Sequence, residues 1–421
     1  MKYKTIRGTR DILPAEASGW QKIEAAARDL FKTYGYGEIR TPIMEETGLF
    51  VKSVGEDTDI VKKEMFSFQD RGEREITLRP EGTAPIVRAY IENNLASVEP
   101  FQKLYYIGPM FRAERPQAGR LRQFTQIGVE AIGSNSPALD AEVIMVMAKL
   151  LDSFGVKNYT MKLNNLGCLE DKKKLSGTLK ELFTGAEISA VLCDDCKRRA
   201  GTNPLRVLDC KVESCKAIVR KHFKEIKFLC DDCKKHFDDV LKFLDLTKTK
   251  YVVDPYIVRG LDYYTRTVFE ASCESLGAQN AIGAGGRYDN LISDMGGPQT
   301  GACGFAIGVD RVLLAAGEGS GQAGSGRIDV FVAPLGEEAY AKAFLVLADL
   351  RGSGIACDID YENRSLKSQM RSADKLKARF VLIIGDDEVK KGEAALRDMQ
   401  TKEQVFIGFD NLAAAIKGKI G

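Results

Sequence analysis

The stretch MFRAERPQAGRLRQFTQIGVE, residues 110–130, decides the fold because its side chains alternate with a period of two on both sides of a turn. Pro116 and Gly119 provide the turn residues, and after the turn Ile127 and Val129 share an apolar face. The polar face of the same stretch carries Arg112, Glu114, Gln126 and Glu130. The pattern predicts a long antiparallel hairpin. Its polar face is either solvated or part of a binding site, and the dense mixture of opposite charges favours a site for an anion and a cation.

The patterns on either side of this hairpin divide the chain into four predicted parts. Residues 15–34 are predicted to form an amphipathic helix, and period-two stretches recur up to about residue 316. The sequence GEGSGQAGSG is half glycine and separates these stretches from apolar runs that alternate with helical segments. We therefore expect an α+β antiparallel-sheet core and a smaller α/β carboxy-terminal domain. The predicted segments are the core at 1–168 and 251–316, an insertion at 169–250, a linker at 317–327 and the last domain at 328–421.

Composition excludes several classes of protein. The chain has 421 residues, a formal net charge of +2 and 29% charged residues, which argues against a disordered chain. No apolar stretch approaches the ~18 residues of a transmembrane helix, and the amino terminus has no secretion signal, so we expect a cytoplasmic protein without a membrane partner. With only two histidines, His222 and His236, both in the insertion, imidazole-based catalysis in the core is excluded.

The insertion is basic and rich in cysteine. Residues 169–250 hold 19 Lys and Arg against 14 Asp and Glu, and six of the ten cysteines lie between Cys193 and Cys233. Two CxxC pairs, Cys193 with Cys196 and Cys230 with Cys233, have the spacing of a structural zinc site. Reduced thiols in a small core remain the alternative, because cysteines in a cytosolic chain of this size rarely form disulfides.

Several stretches together resemble one enzyme family. Residues 111–130 resemble motif 2 of the class II aminoacyl-tRNA synthetases, GFAIGVDR (304–311) resembles motif 3, and GYGEIRTPI (35–43) is similar to motif 1. Other stretches look like signatures of the histidyl-tRNA synthetases, namely RGTRDILP (7–14), TLRPEGT (77–83), RGLDYYTRTVFE (259–270) and AGGRYD (284–289). The resemblance covers effectively the whole chain. It implies that histidine is activated with ATP and then transferred to the 3′ end of its tRNA.

The resemblance assigns one set of residues to ATP. Activation joins two anions, a carboxylate and a phosphate, so fixed cations are needed where negative charge develops. Arg112 matches the arginine that binds the α-phosphate, and Arg259 matches a cation over the reacting centre; these two are the expected catalytic residues. The expected ATP-binding residues are Arg112, Glu114, Arg120 and Arg311. Mg²⁺ is expected as well, held largely by the nucleotide, and Asp310 stands where glutamate is more usual.

The resemblance assigns a second set to the amino acid. Glu81 matches an acid that receives the α-ammonium group, and Tyr263 and Tyr264 match an aromatic pair beside the imidazole. The expected histidine-binding residues are Glu81, Gly82, Thr83, Arg112, Gln126, Glu130, Arg259, Tyr263 and Tyr264.

The carboxy-terminal domain resembles the anticodon-binding module of these synthetases. Arg364, Lys367, Arg371 and Lys375 recur at helical spacing and are expected to contact tRNA, although a solvated charged face has the same pattern. The motif 1 resemblance also implies a homodimer.

Two alternatives remain open. One is a non-catalytic paralogue, the synthetase-like regulatory subunit of ATP phosphoribosyltransferase, which lacks the last domain and the substrate signatures. The other is a class II synthetase for a different amino acid, in which RGLDYY and PEGT would be absent.

Overall fold

The chain forms two units, Met1–Ala323 and Gly324–Gly421, which are described separately. A computed structural model describes residues 3–117, 119–223, 226–277, 280–317 and 328–420. The predicted linker at 317–327 lies outside the described residues, except for Gly317. No helix in the described ranges has the length and apolar character needed to cross a membrane.

Both units contain strands and helices. The strands of the first unit are β1 (Gly37–Glu38), β2 (Met44–Glu46), β3 (Phe66–Gln69), β4 (Glu75–Leu78), β5 (Gln102–Phe111), β6 (Gln123–Ile132), β7 (Tyr159–Asn165), β8 (Val252–Val253), β9 (Thr265–Cys273), β10 (Ala281–Arg287) and β11 (Ala302–Gly308). Its helices are α1 (Pro14–Thr33), α2 (Thr47–Val54), α3 (Thr83–Glu92), α4 (Leu95–Val98), α5 (Pro137–Ser153), α6 (Leu169–Thr184), α7 (Ala186–Val191), α8 (Asp194–Thr202), α9 (Glu213–His222), α10 (Asp231–Leu246), α11 (Leu291–Asp294) and α12 (Val309–Ala316). The second unit contains β12 (Val330–Leu335), α13 (Glu337–Gly352), β13 (Cys357–Ile359), α14 (Leu366–Lys375), β14 (Phe380–Gly385), α15 (Asp386–Lys391), β15 (Glu393–Asp398), β16 (Gln404–Gly408) and α16 (Leu412–Ile420).

The first unit is built on an eight-stranded sheet in the order β1-β5-β6-β11-β10-β9-β7-β8. Its interior pairs are antiparallel, and only the short edge strands β1 and β8 pair in parallel. The segment between β1 and β5 forms a smaller antiparallel sheet in the order β2-β4-β3. This confirms the antiparallel-sheet α+β core.

The predicted hairpin is β5 paired with β6, with Gly108 opposite Gln126 and Phe111 opposite Gln123. The expectation that β5 continues to Glu114 is wrong. The Arg112 N–H still donates to the Arg122 carbonyl at 2.9 Å, but the next N–H, that of Ala113, donates to the backbone carbonyl of Glu64 at 2.7 Å. Arg112 and Glu114 therefore lie in the connection between the strands, where the backbone has changed its pairing partner.

One face of the large sheet packs on helices. Ile127 and Val129 point from β6 into a core shared with Phe31 of α1, Met147 of α5 and Val240 of α10. Because residues alternate along a strand, Gln126 and Glu130 point to the opposite face, where the site forms. Helix α10 comes from the predicted insertion, so part of that segment shares the core of the sheet. Leu175 and Leu179 of α6 belong to a second cluster on the other face.

The second unit is a five-stranded sheet in the order β13-β12-β14-β15-β16, parallel between its first three strands and antiparallel after them. Ala343 and Leu347 of α13 pack with Ile416 of α16 in one core cluster. Leu366 and Met370 of α14 pack in another. The predicted α/β domain is confirmed.

Candidate functional site

Most of the predicted site residues of the first unit line one cavity of about 270 Å³. They come from the α3 start, the β5–β6 connection, β6, the loop before β9 and the α12 start. The predicted residues that line it are Glu81, Thr83, Arg112, Glu114, Arg120, Gln126, Arg259, Tyr263, Tyr264 and Arg311. Gly82 and Glu130 do not line it.

Glu130 lies beneath the cavity, with 1% of its surface exposed. The Thr83 hydroxyl donates to its Oε1 at 2.7 Å, and the Tyr288 hydroxyl donates to its Oε2. Burial raises the pKa of Glu130 to about 8. A Cβ on Gly304 of the neighbouring strand would lie 2.0 Å from its Oε2, so only glycine leaves room for this carboxyl group. Glu130 is therefore placed to position Thr83 and Tyr288 from below the cavity.

Gly82 makes room for an aromatic ring. A Cβ at Gly82 would lie 2.4 Å from the Tyr106 ring, and one at Gly128 would lie equally close on the other side. The two glycines thus let the Tyr106 ring lie between α3 and β6, where it forms part of the cavity wall.

Glu81 lies at the amino-terminal end of α3. Its carboxylate accepts the backbone N–H groups of Thr83 at 2.7 Å and Ala84 at 2.8 Å, which have no partner within the helix. The helix dipole and these donors favour the charged form, whereas complete burial opposes it and dominates, so the pKa of Glu81 is raised. A bound cation would offset that burial cost.

Tyrosines form the wall of the cavity near Glu81. The ring centroids of Tyr263 and Tyr264 are 4.6 Å apart, and the Tyr288 ring meets Tyr263 edge-on at 5.7 Å. Tyr106 Oη and Gln126 Oε1 are buried and have no hydrogen-bond partner among the described residues. Buried polar atoms in proteins are normally paired, so these two fit a polar ligand in the cavity.

Four arginines surround another part of the cavity. Arg112 Nε donates to the Pro80 carbonyl at 2.9 Å, and its guanidinium lies 5.3 Å from the Phe124 ring centre. Arg259 Nη1 donates to Glu270 Oε2 at 2.9 Å, while its buried Nε has no partner in the described part of the chain. These contacts fix both guanidinium groups in orientation.

The other two arginines come from the hairpin connection and α12. Arg120 Nη1 lies 3.0 Å from Glu114 Oε2, and Arg311 Nε donates to the Gly119 carbonyl at 3.0 Å. Burial lowers the pKa of Arg311, and the nearby charges of Arg120 and Arg112 lower it further. A polyanion would relieve this mutual repulsion, so the arrangement suits a ligand with several phosphates.

Three residues of this site have no role predicted from the sequence. Glu270 lines the cavity and pairs with Arg259, Tyr106 lines it between two glycines, and Tyr288 holds Glu130. Glu270 and Tyr288 lie within stretches that were singled out, RGLDYYTRTVFE and AGGRYD, so those stretches were the available signal.

The cysteines form two groups instead of one site. Cys193 and Cys196 lie with Cys210 and Cys215, and the ligand atoms of this group all lie within 4.8 Å of one another. The members of the other group are Cys168, Asp171, Cys230 and Cys233. The expectation that the two CxxC pairs share a site is wrong, because each pair begins a different helix, α8 or α10, with its own neighbours.

The predicted basic face of the second unit is confined to α14. Lys367, Arg371 and Lys375 are exposed at four-residue spacing along it. Contrary to the expectation, Arg364 is not part of this helical face. It precedes the helix, and its Nε donates to the buried carboxylate of Asp360 at 2.6 Å.

Family models match almost the whole chain. The model described as histidyl-tRNA synthetase matches residues 8–191 and 205–312, and the model described as anticodon binding domain matches residues 329–419.

Curated proteins and solved structures agree with these matches. A histidine–tRNA ligase of Halothermothrix orenii is 49% identical over 414 residues, which are 98% of each chain. One of Geobacter sulfurreducens is 49% identical over 402 residues, which are 96% of each chain. The crystal structure of apo S. aureus histidyl-tRNA synthetase superposes with a TM-score of 0.81 at 36% identity, covering 99% of this chain and 100% of that one.

Proposed function

The chain belongs to the histidyl-tRNA synthetase family of ATP-dependent ligases, and from that premise we propose that the cavity of the first unit is where histidine and ATP react. The chain is an enzyme that ligates histidine to tRNA. The observation that carries the proposal is the meeting, in one cavity, of four arginines with a buried glutamate and an aromatic wall. The arginines suit phosphates, and the glutamate suits an ammonium group.

Arg259 and Arg112 are the proposed catalytic residues. The histidine carboxylate attacks the α-phosphate and pyrophosphate leaves, so negative charge accumulates around phosphorus in the transition state. A guanidinium that is held in place stabilises that charge without having to reorganise during the reaction. Arg259 is oriented by Glu270 and Arg112 by Pro80, which meets this requirement. Arg311 and Arg120, beside Glu114, are proposed to bind the rest of the nucleotide.

Histidine is proposed to bind between Glu81 and the tyrosines. Glu81, charged when it faces the α-ammonium group, gives that group a buried counter-ion beside the α3 terminus. Gln126 and Tyr264 line the same cavity and offer polar groups to the imidazole. A site that pairs with a polar ring rejects apolar analogues, because its own buried polar atoms would then lack partners. Glu130 contributes by positioning Thr83 and Tyr288.

Mg²⁺ fits the nucleotide side of the cavity. Glu114, Glu270 and Asp310 line it together with the arginines, and carboxylate oxygens are ligands that Mg²⁺ accepts beside phosphate oxygens. When bound, Mg²⁺ would neutralise phosphate charge. All three carboxylates are already paired: Glu114 with Arg120 at 3.0 Å, Glu270 with Arg259 at 2.9 Å, and Asp310 with Arg10 at 3.5 Å and the Thr125 N–H at 3.4 Å.

The second unit is proposed to bind the anticodon region of the tRNA through α14. Lys367, Arg371 and Lys375 project from the same side of the helix and are exposed. Charges arranged in this way contact phosphates with little dependence on sequence. Arg364 is proposed to contribute less, because Asp360 already neutralises it.

We propose that the enzyme acts as a homodimer in the cytoplasm, where translation uses charged tRNA. Support comes from apolar side chains that the single chain leaves in water. Ile43 and Met44, where the motif 1-like stretch ends, are 42% and 56% exposed, and Phe68 of the same small sheet is 45% exposed. Met44→Glu should dissociate the dimer in sedimentation equilibrium. A wild-type chain that sediments as a monomer would overturn this part of the proposal.

The proposed cavity is also what separates this chain from the regulatory paralogue. Such proteins lack the substrate signatures and the last domain, whereas here Arg112, Arg259 and Arg311 share one cavity and residues 329–419 match an anticodon-binding model.

ATP–pyrophosphate exchange, measured with each amino acid separately, tests the proposal. Exchange should depend on histidine, and Glu81→Gln should raise the KM for histidine far more than the KM for ATP. Equal changes in both constants would mean that Glu81 does not receive the ammonium group.

A further inference from the structure

Four cysteines in the helical segment after the core strand β7 converge on a single point. Cys193, Cys196, Cys210 and Cys215 come from the α8 start, the loop before α9 and α9 itself. Their sulfurs all lie within 4.8 Å of one another, and Cys196, Cys210 and Cys215 are buried. These sulfurs come from three separate parts of the segment, so the fold has brought them together.

One distance within this group is that expected between two ligands of the same metal ion. Cys193 Sγ and Cys210 Sγ are 3.8 Å apart. A disulfide would require ~2.05 Å. Sulfurs at the corners of a tetrahedron with ~2.3 Å zinc–sulfur bonds are separated by about 3.8 Å. The observed distance therefore matches a zinc tetrathiolate.

Backbone donors already point at this group. The Cys193 N–H donates to Cys215 Sγ at 3.2 Å, and the Val212 N–H donates to Cys210 Sγ at 3.4 Å. Such donors stabilise thiolates and orient them towards a metal.

The second group has the same construction. CDDCK occurs at 193–197 and again at 230–234, and in each copy the first cysteine occupies the N-cap position of a helix whose first turn carries the second. Cys168 caps α6 and completes a set of three thiols at Cys230 and Cys233.

Asp171 supplies the fourth ligand atom of the second group. Its carboxylate accepts the N–H of Cys230 at 3.1 Å and that of Cys168 at 3.3 Å, which holds it between the two helix starts. A carboxylate has further lone pairs that a cation can use. Gly167 leaves room for it, since a Cβ there would lie 2.3 Å from Asp171 Cβ.

We propose that this segment binds two structural zinc ions, one at Cys193, Cys196, Cys210 and Cys215 and the other at Cys168, Asp171, Cys230 and Cys233. Both sets offer four ligands, as closed structural zinc sites do, and neither keeps a position for a substrate. Thiolates favour zinc over Mg²⁺ or Ca²⁺. The helices α7, α8 and α9 have 6, 9 and 10 residues, and short helices of this kind gain stability from a metal crosslink.

The second ion would join the two ends of the segment to the core sheet. The Asn165 side chain, at the end of β7, donates to the Cys233 carbonyl at 2.8 Å. Lys172, next to Asp171, donates to the backbone carbonyls of Asp262 and Tyr264 at 2.8 Å each. Zinc at Asp171 would thus fix the start of α6, and through Lys172 the loop that carries Tyr264.

Metal analysis of the full chain, purified without added metal, tests the proposal. Two zinc ions per chain are expected. Cys193→Ser with Cys196→Ser should remove one, and Cys230→Ser with Cys233→Ser should remove the other. Cys357→Ser, in the second unit and outside both groups, should retain two. Fewer than two zinc ions in the wild-type chain after incubation with zinc, or iron in their place, would overturn the proposal.

Thiol labelling of the wild-type chain avoids any dependence on the folding of variants. Native protein is alkylated with and without a zinc chelator, and the labelled cysteines are mapped by mass spectrometry. Cys168, Cys193 and Cys230, the less buried members of the two groups, should be protected until the chelator is added. Equal labelling in both conditions would overturn the proposal.

Discussion

Asp140 Oδ2 lies 2.8 Å from Nε2 of His236, so that a side chain of α5 meets one of α10 inside the core. The other carboxylate oxygen of Asp140 accepts Arg287 Nη1 at 2.5 Å, and Arg287 is fully buried. Arg266 Nη1 lies 3.4 Å from the second ring nitrogen of His236. A histidine from the segment 169–250 is therefore part of a charged network beneath the AGGRYD stretch.

Replacing Asp140 should destabilise the first unit strongly. Asp140→Asn leaves the buried Arg287 with one charged partner, Asp289, and loss of a buried ion-pair partner costs about 3–5 kcal/mol. His236→Gln should cost less, about 1–3 kcal/mol, because it disturbs one hydrogen bond of a buried carboxylate. Urea unfolding followed by the fluorescence of Trp20, the only tryptophan, measures both changes.

The other histidine provides the matched control for this experiment. His222→Gln lies at the end of α9, outside this network, and should change stability by less than about 0.5 kcal/mol. If Asp140→Asn is no more destabilising than His222→Gln, the network does not stabilise the fold.

Local patterns predicted the hairpin and helix α1, because the residues that form each pattern are close together in sequence. The alternation from Gln126 to Glu130 is a property of one strand, and it correctly placed Glu130 on the face opposite Val129. The same alternation wrongly extended β5 to Glu114, since it carries no information about Glu64, which takes the next backbone hydrogen bond. Period-two patterns therefore identify a strand more reliably than they identify its end.

Contacts between segments that are distant in the chain leave no local pattern in the sequence from which they could be predicted. The CxxC spacing predicts that the two cysteines of each pair act together, but it does not show which other cysteines fold against them. Cys193 joins Cys210 and Cys215, and Cys230 joins Cys168, which depends on how α6, α8 and α10 pack. His236 likewise lies outside every motif stretch in the sequence, and only the packing of α10 on α5 brings it to Asp140.

The carboxyl group of Glu130 should make the stability of the ligand-free protein depend on pH. Its folded-state pKa is about 8, whereas a glutamate in an unfolded chain ionises near ~4.3. Between these values the folded state binds more protons than the unfolded state. Stability from this group is therefore fully present below pH ~4.3 and is lost as pH rises towards about 8.

Glu130→Gln removes that titration while retaining the size of the side chain. The urea midpoint of the wild type should fall more steeply between about pH 6 and pH 8 than that of Glu130→Gln. Glu99→Gln, at an exposed position, should retain the wild-type slope. Parallel slopes for the wild type and Glu130→Gln would show that Glu130 is ionised throughout this range.

Arg259→Lys should affect the rate of activation more than ATP binding. Lysine retains the charge but cannot keep the guanidinium contact to Glu270 while presenting a second N–H to the reacting groups. Loss of one oriented donor to a transition state lowers the rate by about 10²–10³. The kcat of ATP–pyrophosphate exchange should fall by this factor, with a much smaller change in the KM for ATP.

Arg351→Lys is the control for that substitution, because Arg351 lies in the second unit with 47% of its side chain exposed. Its exchange kinetics should match the wild type. A higher KM for ATP at an unchanged kcat in Arg259→Lys would show that Arg259 binds the ground state and has no special role in the transition state.

Neutralising α14 should weaken tRNA binding and leave the activation step intact. In Lys367→Ala with Arg371→Ala, two exposed charges disappear from a helix whose other side, including Met370, packs on the sheet. Each lost phosphate contact reduces the slope of log Kd against log salt concentration by about one. The double variant should therefore show a slope that is smaller by about two, with unchanged ATP–pyrophosphate exchange.

Lys390→Ala with Lys391→Ala is the matched control, because it removes two exposed charges from α15 and should leave the slope as it is. Equal losses in both double variants would mean that tRNA responds to the net charge of the second unit, and that α14 makes no specific contact.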